Sequence, residues 1–180
     1  YESAPTYHDV PLVLRLDSGV DRDRLVASLA MVVERHAALR ASIEAVGERA
    51  EQVIADAVVP WTWVDTPLPY ELALAQGLAQ TAPPRATGIA LEDGGLLVVL
   101  MLRHIFVDRA SLRLVAREWS AAYAGEELAP VEHQLTDFAV WERELAEHCE
   151  PLWFYWRWKL HGGLAALELP TRRARHAVHV

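Results

Sequence analysis

The chain has 180 residues, with 17 basic and 25 acidic side chains, and its formal net charge is −8; apolar residues make up 52% and charged residues 23%. This composition suits a folded domain with a real core and is too apolar for disorder. No apolar run approaches the ~20 residues needed to span a bilayer, and no basic-then-apolar leader opens the sequence. A negative balance with dispersed arginines argues against nucleic acid, and the single cysteine, Cys149, excludes an internal disulfide and fits a reducing, cytoplasmic setting.

Residues 10–16, VPLVLRL, predict a strand that stops at Asp17-Ser18-Gly19. Asp21 is a plausible N-cap for a helix that buries Leu25, Leu29, Val32, Val33 and His36 at three- and four-residue steps. Residues 41–46 and 50–54 around Gly47-Glu48 predict a hairpin. Residues 55–69, with Pro60, Pro67 and Pro69, look like a linker that holds a short strand over 61–64. Tyr70, Leu74 and Leu78 give a helix over 70–80, which Pro83-Pro84 ends. Residues 86–91 and 96–102 flank Asp93-Gly94-Gly95 and form a hairpin. The second arm, LLVVLML, has no polar alternation, so it reads as a central strand covered on both faces. Ser111 then reads as the N-cap of a helix reaching Tyr123, with Leu112, Val115, Trp119 and Tyr123 on one face and Gly125 as the stop. A helix over 135–148 follows. Pro151 starts another, where Leu152, Trp156 and Leu160 form a stripe expected to pack.

The stretch Arg103-His104-Ile105-Phe106-Val107-Asp108-Arg109-Ala110-Ser111 leaves the central strand and enters a helix. Loops at the carboxyl ends of central strands are where open α/β folds place their sites. A histidine there can exchange protons near neutrality. Taken alone, H-x-x-x-D also reads as a His and an Asp capping a turn. Other chemistries lack a pattern. His148-Cys149-Glu150 is the compact cluster of potential metal ligands, without HExxH or CxxC, so no metal is expected, and neither GxSxG nor GxxxxGK[ST] occurs.

The stretch resembles the HHxxxDG motif of nonribosomal peptide synthetase condensation domains, relatives of chloramphenicol acetyltransferase. Further segments resemble that family in the same order: VPLVLRLDSGVDRDRLVASL at 10–29, RHAALRASI at 35–43, LTDFAVWER at 135–143, and Tyr155-Trp156 with Leu160 followed by LELP at 167–170. The resemblance implies an α/β fold, a two-layer sandwich forming the N-terminal lobe of a condensation domain over residues 1–170. Residues 171–180, with Arg172, Arg173 and Arg175, would be a tail leading toward a second lobe. It implies amide or ester formation between acyl groups carried as phosphopantetheine thioesters on carrier proteins, with no cofactor bound directly. His104 would be the catalytic histidine. Asp108 would be structural and paired with Arg40, and the catalytic reading depends on that cationic companion and on an open space before the ring.

Three residues depart from the family pattern: Arg103 replaces the first histidine, Arg109 the glycine, and Ala37 the glutamate of RHExLR. Arg109 could narrow the space beside His104. The spacing Arg103-His104, Asp108, Ser111 also fits SHxxxDxxS of cyclising terminal domains. The family's opening S-x-A-Q-x-R-L-W segment is absent, so a piece of a longer domain or a natural half-domain is expected, inactive on its own. A second reading makes the chain a catalytically degenerate relative that serves as a docking or recruitment scaffold.

Overall fold

The structure is a computed structural model that describes residues 9–47, 49–56, 58–79 and 83–163. It comprises two compact units, residues 1–138 and 139–180. The LELP segment and the tail arginines lie outside the described residues.

In the first unit a four-stranded sheet runs in the order β1-β6-β5-β4, built from β1 (Asp9–Leu16), β4 (Trp61–Leu68), β5 (Arg85–Leu91) and β6 (Leu96–Arg103). β6 pairs antiparallel with both β1 and β5, while β5 and β4 are parallel. A separate hairpin joins β2 (Ala41–Val46) to β3 (Arg49–Ile54). As its unbroken apolar run predicts, β6 is interior to the sheet, and Leu96–Leu102 are all buried. Alternation then sends Val98, Leu100 and Leu102 to one face and Leu97 and Val99 to the other.

The first face carries the larger core. Helix α1 (Arg22–Arg35) contributes Leu25, Leu29, Val32 and Val33, and helix α3 (Arg109–Ala124) contributes Val115, Trp119 and Ala122. Asp21 caps α1 as expected, its side chain accepting from the Arg24 N–H. The Trp119 indole N–H reaches the Leu25 carbonyl and Ser28 Oγ, which satisfies a donor that burial would otherwise penalise. Trp61 and Trp63 stack 4.9 Å apart across small residues of β5. Gly88 faces Trp63 in register, and a Cβ there would run into the indole ring.

The opposite face is covered by helix α2 (Tyr70–Leu78), which gives β6 its second cover. Its inward residues are Ala73 and Gly77, whereas Tyr70 and Leu78 are exposed and Leu74 is half-buried. The expected 70/74/78 stripe is therefore corrected. The helix approaches so closely that a Cβ at Gly77 would sit 2.5 Å from Val99 Cγ2, and close approach selects small residues over large ones. β4 extends to Leu68, past the short strand expected, so most of the linker-like stretch belongs to the sheet edge, where Pro67 is tolerated.

Helix α4 (Leu135–Glu147) begins in the first unit, and α5 (Glu150–Lys159) belongs to the second. Leu152, Trp156 and Leu160 are each about half exposed, so the stripe expected to pack is not buried among the described residues.

Candidate active site

The segment after β6 turns back at once: the Phe106 N–H closes on the Arg103 carbonyl. Val107 is buried and Phe106 packs against the same core, so two apolar side chains pin a turn whose other residues, His104 and Ile105, are exposed. The His104 ring is oriented by Nδ1, 2.9 Å from the Val107 carbonyl oxygen. A carbonyl only accepts, so Nδ1 carries the proton. The lone pair of the neutral ring is then on Nε2, which has no partner among the described residues.

Asp108 is the N-cap of α3, one turn earlier than the sequence suggests. Its Oδ1 accepts from the Ser111 N–H at 2.8 Å and from Ser111 Oγ at 2.7 Å, and Ser111 Oγ accepts from the Asp108 N–H. Ser111 is thus the return arm of a capping box and not the cap itself. These hydrogen bonds from the Ser111 backbone and hydroxyl hold the Asp108 carboxyl below its ordinary value.

The expected Asp108–Arg40 ion pair does not form. Arg40, which ends a 3-10 helix over Ala37–Arg40, donates to the carbonyls of Ala55 and Glu34, both at 3.2 Å. The guanidinium turns back to the end of α1 and to the residue just after the hairpin, and the Asp108 carboxylate is already occupied by the helix end. Asp108 has no cationic companion among the described residues, so that condition of the catalytic reading is not met, and the helix cap anchors the carboxylate instead. Arg103 donates from Nε to the Pro83 carbonyl at 3.2 Å, which ties the end of β6 to the segment preceding β5. Arg109 is the first residue of α3. It is exposed and has no hydrogen-bond or ionic partner among the described residues.

The RHAALR segment is close by. Ala38, Leu39 and Ala41 share a narrow crevice with Leu102, Arg103, Phe106 and Val107. Its first two residues form a polar clasp that sequence reasoning missed. His36 Nε2 lies 2.7 Å from Glu118 Oε2 on α3, and Arg35 Nε donates to the same oxygen at 3.2 Å. Arg35 Nη2 also donates to the Ala129 carbonyl at 2.6 Å. Gln134 donates to the Arg35 carbonyl and accepts from the Ala37 N–H, both at 2.9 Å, while Asp137 receives the Gln134 N–H. Burial pushes the Glu118 carboxyl up, but the hydrogen bonds from His36 and Arg35 outweigh it and hold it below the ordinary value. His36 is a structural donor here, as expected of a residue on the packed side of its helix. Glu118 lies 82 residues from His36, so no local pattern announces it.

Two family segments, read separately along the sequence, thus meet at one strand–turn–helix, and Gln134, just before a third, is bonded to the RHAALR segment. A sequence profile of the family described as "Condensation domain" matches residues 1–179. The chain belongs to the condensation-domain family. Among curated relatives, it is 30% identical to Tyrocidine synthase 2 of Brevibacillus parabrevis over 98% of this chain, and 30% identical to Surfactin synthase subunit 1 of Bacillus subtilis (strain 168) over 98%. It spans 5% of the length of each. Among solved structures it is similar to the X-domain from teicoplanin biosynthesis, with a TM-score of 0.80 and 29% identity over 95% of this chain and 42% of that one. A condensation domain of chain release from the enacyloxin polyketide synthase superposes with a TM-score of 0.72 and 28% identity, over 86% of this chain and 34% of that one. The α/β sandwich expected from the sequence is thus the family's fold. No helix among the described residues is long and apolar enough to cross a membrane.

Proposed function

We propose that this chain is the N-terminal lobe of a cytoplasmic condensation domain, and that its His104 assists amide or ester formation between acyl groups presented as phosphopantetheine thioesters on carrier proteins. The acceptor's amine attacks the donor's thioester carbonyl. The C–N bond forms, the C–S bond breaks, and the thiol leaves with a proton. The reading rests above all on the state of the His104 ring: exposed, with Nδ1–H committed to the Val107 carbonyl and the Nε2 lone pair open. That is the arrangement of a group whose open Nε2 can take the amine proton and, once it holds that proton, donate it onward to the leaving thiolate or to charge on the carbonyl oxygen. Phe106, Val107 and the Asp108–Ser111 box hold the turn that presents the ring.

Residues 1–170 form the lobe in this reading, and residues 171–180 lead toward a second lobe that completes the walls of the site. Enclosure by that lobe would supply the orientation and exclusion of water that acyl transfer between two tethered substrates requires. Replacing His104 by Ala in the full parent domain should lower the condensation rate by about 10²–10⁴-fold with both carrier-bound substrates supplied. An unchanged rate would remove His104 from the mechanism.

A further inference from the structure

The exposed side of α3 carries Arg109, Arg113 and Arg117 at successive four-residue steps. They project opposite the buried Val115, Trp119 and Ala122 and make one ridge about 12 Å long. None of the three has a hydrogen-bond or ionic partner among the described residues, whereas Arg15, Arg22 and Arg35 each meet a carboxylate. Local physics opposes such a ridge. Like charges four residues apart repel, cations near a helix N-terminus oppose its dipole, and the first turn of α3 holds no acidic residue. The ridge also runs against the sign of the whole chain, whose net charge is −8.

We propose that this ridge docks an acidic helix of the donor carrier domain, with carboxylates at the same spacing, so that the carrier's near end comes to rest beside the His104 turn. The inference rests on the proposed function and names the surface on which that function receives its donor substrate. Placement supports it: the ridge starts at the residue after the Asp108 cap, five residues beyond His104. Shape supports it too. A row of three separated guanidiniums suits a row of separated carboxylates, whereas a small anion calls for converging donors. The overall negative charge disfavours a nucleic acid.

The test is direct binding of the holo donor carrier domain to the full-length protein, measured by calorimetry without turnover. At low salt, Arg113→Gln with Arg117→Gln should weaken binding about tenfold or more, and the paired lysine substitutions should restore most of it. Arg49→Gln with Arg157→Gln removes the same charge from exposed positions elsewhere and should stay within about twofold of the unsubstituted protein. High salt should bring the unsubstituted protein down to the level of the ridge variant. Undiminished binding by the ridge variant, an equal loss in the control pair, or no carrier binding by the unsubstituted protein would each overturn the proposal. His104→Ala should bind the carrier normally. Ridge-dependent binding with turnover unaffected by His104→Ala would therefore sink the catalytic reading and leave the docking surface standing.

Discussion

The first unit contains the dipeptide Arg-His twice, and the two copies have opposite fates. At Arg35-His36 both side chains converge on Glu118, and the three side chains are only 14–20% exposed. At Arg103-His104 the arginine is tied to a backbone carbonyl, and the ring stands in solvent with one nitrogen committed and one open. The residues are the same and their surroundings decide the use. The first pair ends a helix and reaches a carboxylate on a neighbouring helix. The second ends a buried strand, where the turn geometry offers only carbonyls. A histidine between helices becomes a tie, and one lifted onto a turn by a buried valine and a half-buried phenylalanine keeps a ring nitrogen open.

Exchanging the roles tests that contrast. The largest effect should come from His104→Ala, which should abolish most condensation activity while chemical-denaturation stability moves by less than about 0.5 kcal/mol. Glu118→Ala should do the reverse. It leaves Arg35 and His36 without their shared acceptor and should cost about 2 kcal/mol in urea unfolding, between the values for exposed and buried pairs. His36→Ala removes one hydrogen bond to a charged group and should cost about 1–2 kcal/mol by the same measurement.

Acid should sharpen the comparison. The Glu118 carboxyl is held below its ordinary 4.5 in the folded chain, so the clasp's contribution is full above that value and is lost as pH falls below it and through the folded value. Unfolding midpoints against pH should fall less steeply below 4.5 in Glu118→Gln than in the unsubstituted protein. The smallest effect belongs to Asp108→Ala, which removes the cap of α3. Its melting temperature should drop by about 3–5 °C, and Asp108→Asn, which preserves a capping oxygen, should recover most of the loss.

Periodicity and turn residues reveal much of this architecture. The buried run of β6, the Asp21 cap, the hairpin at Gly47 and the Gly125 stop all obey local rules. The errors share a cause, because each depends on what lies across a contact. α2 turns Ala73 and Gly77 inward on account of the sheet's closeness at Val99, which hydrophobicity along one strand of sequence does not encode. Asp108 outcompetes Ser111 for the cap because the two serve one motif, and only their relative geometry separates the arms. The Arg40–Asp108 pair was inferred from family likeness and gave way to nearer partners for both groups. The motif residues of the candidate site were legible from the family pattern. The orientation of the His104 ring and the clasp at Glu118 required atoms to be placed.

The first pair in the register of β1 and β6 is Asp9 opposite Arg103, and the last is Leu16 opposite Leu96. The two strands therefore fasten like a zipper whose first tooth adjoins His104. Tension applied to the chain at Asp9 would load that tooth before any other, so a tug from upstream would be felt at the histidine turn while the far end of the sheet stayed closed.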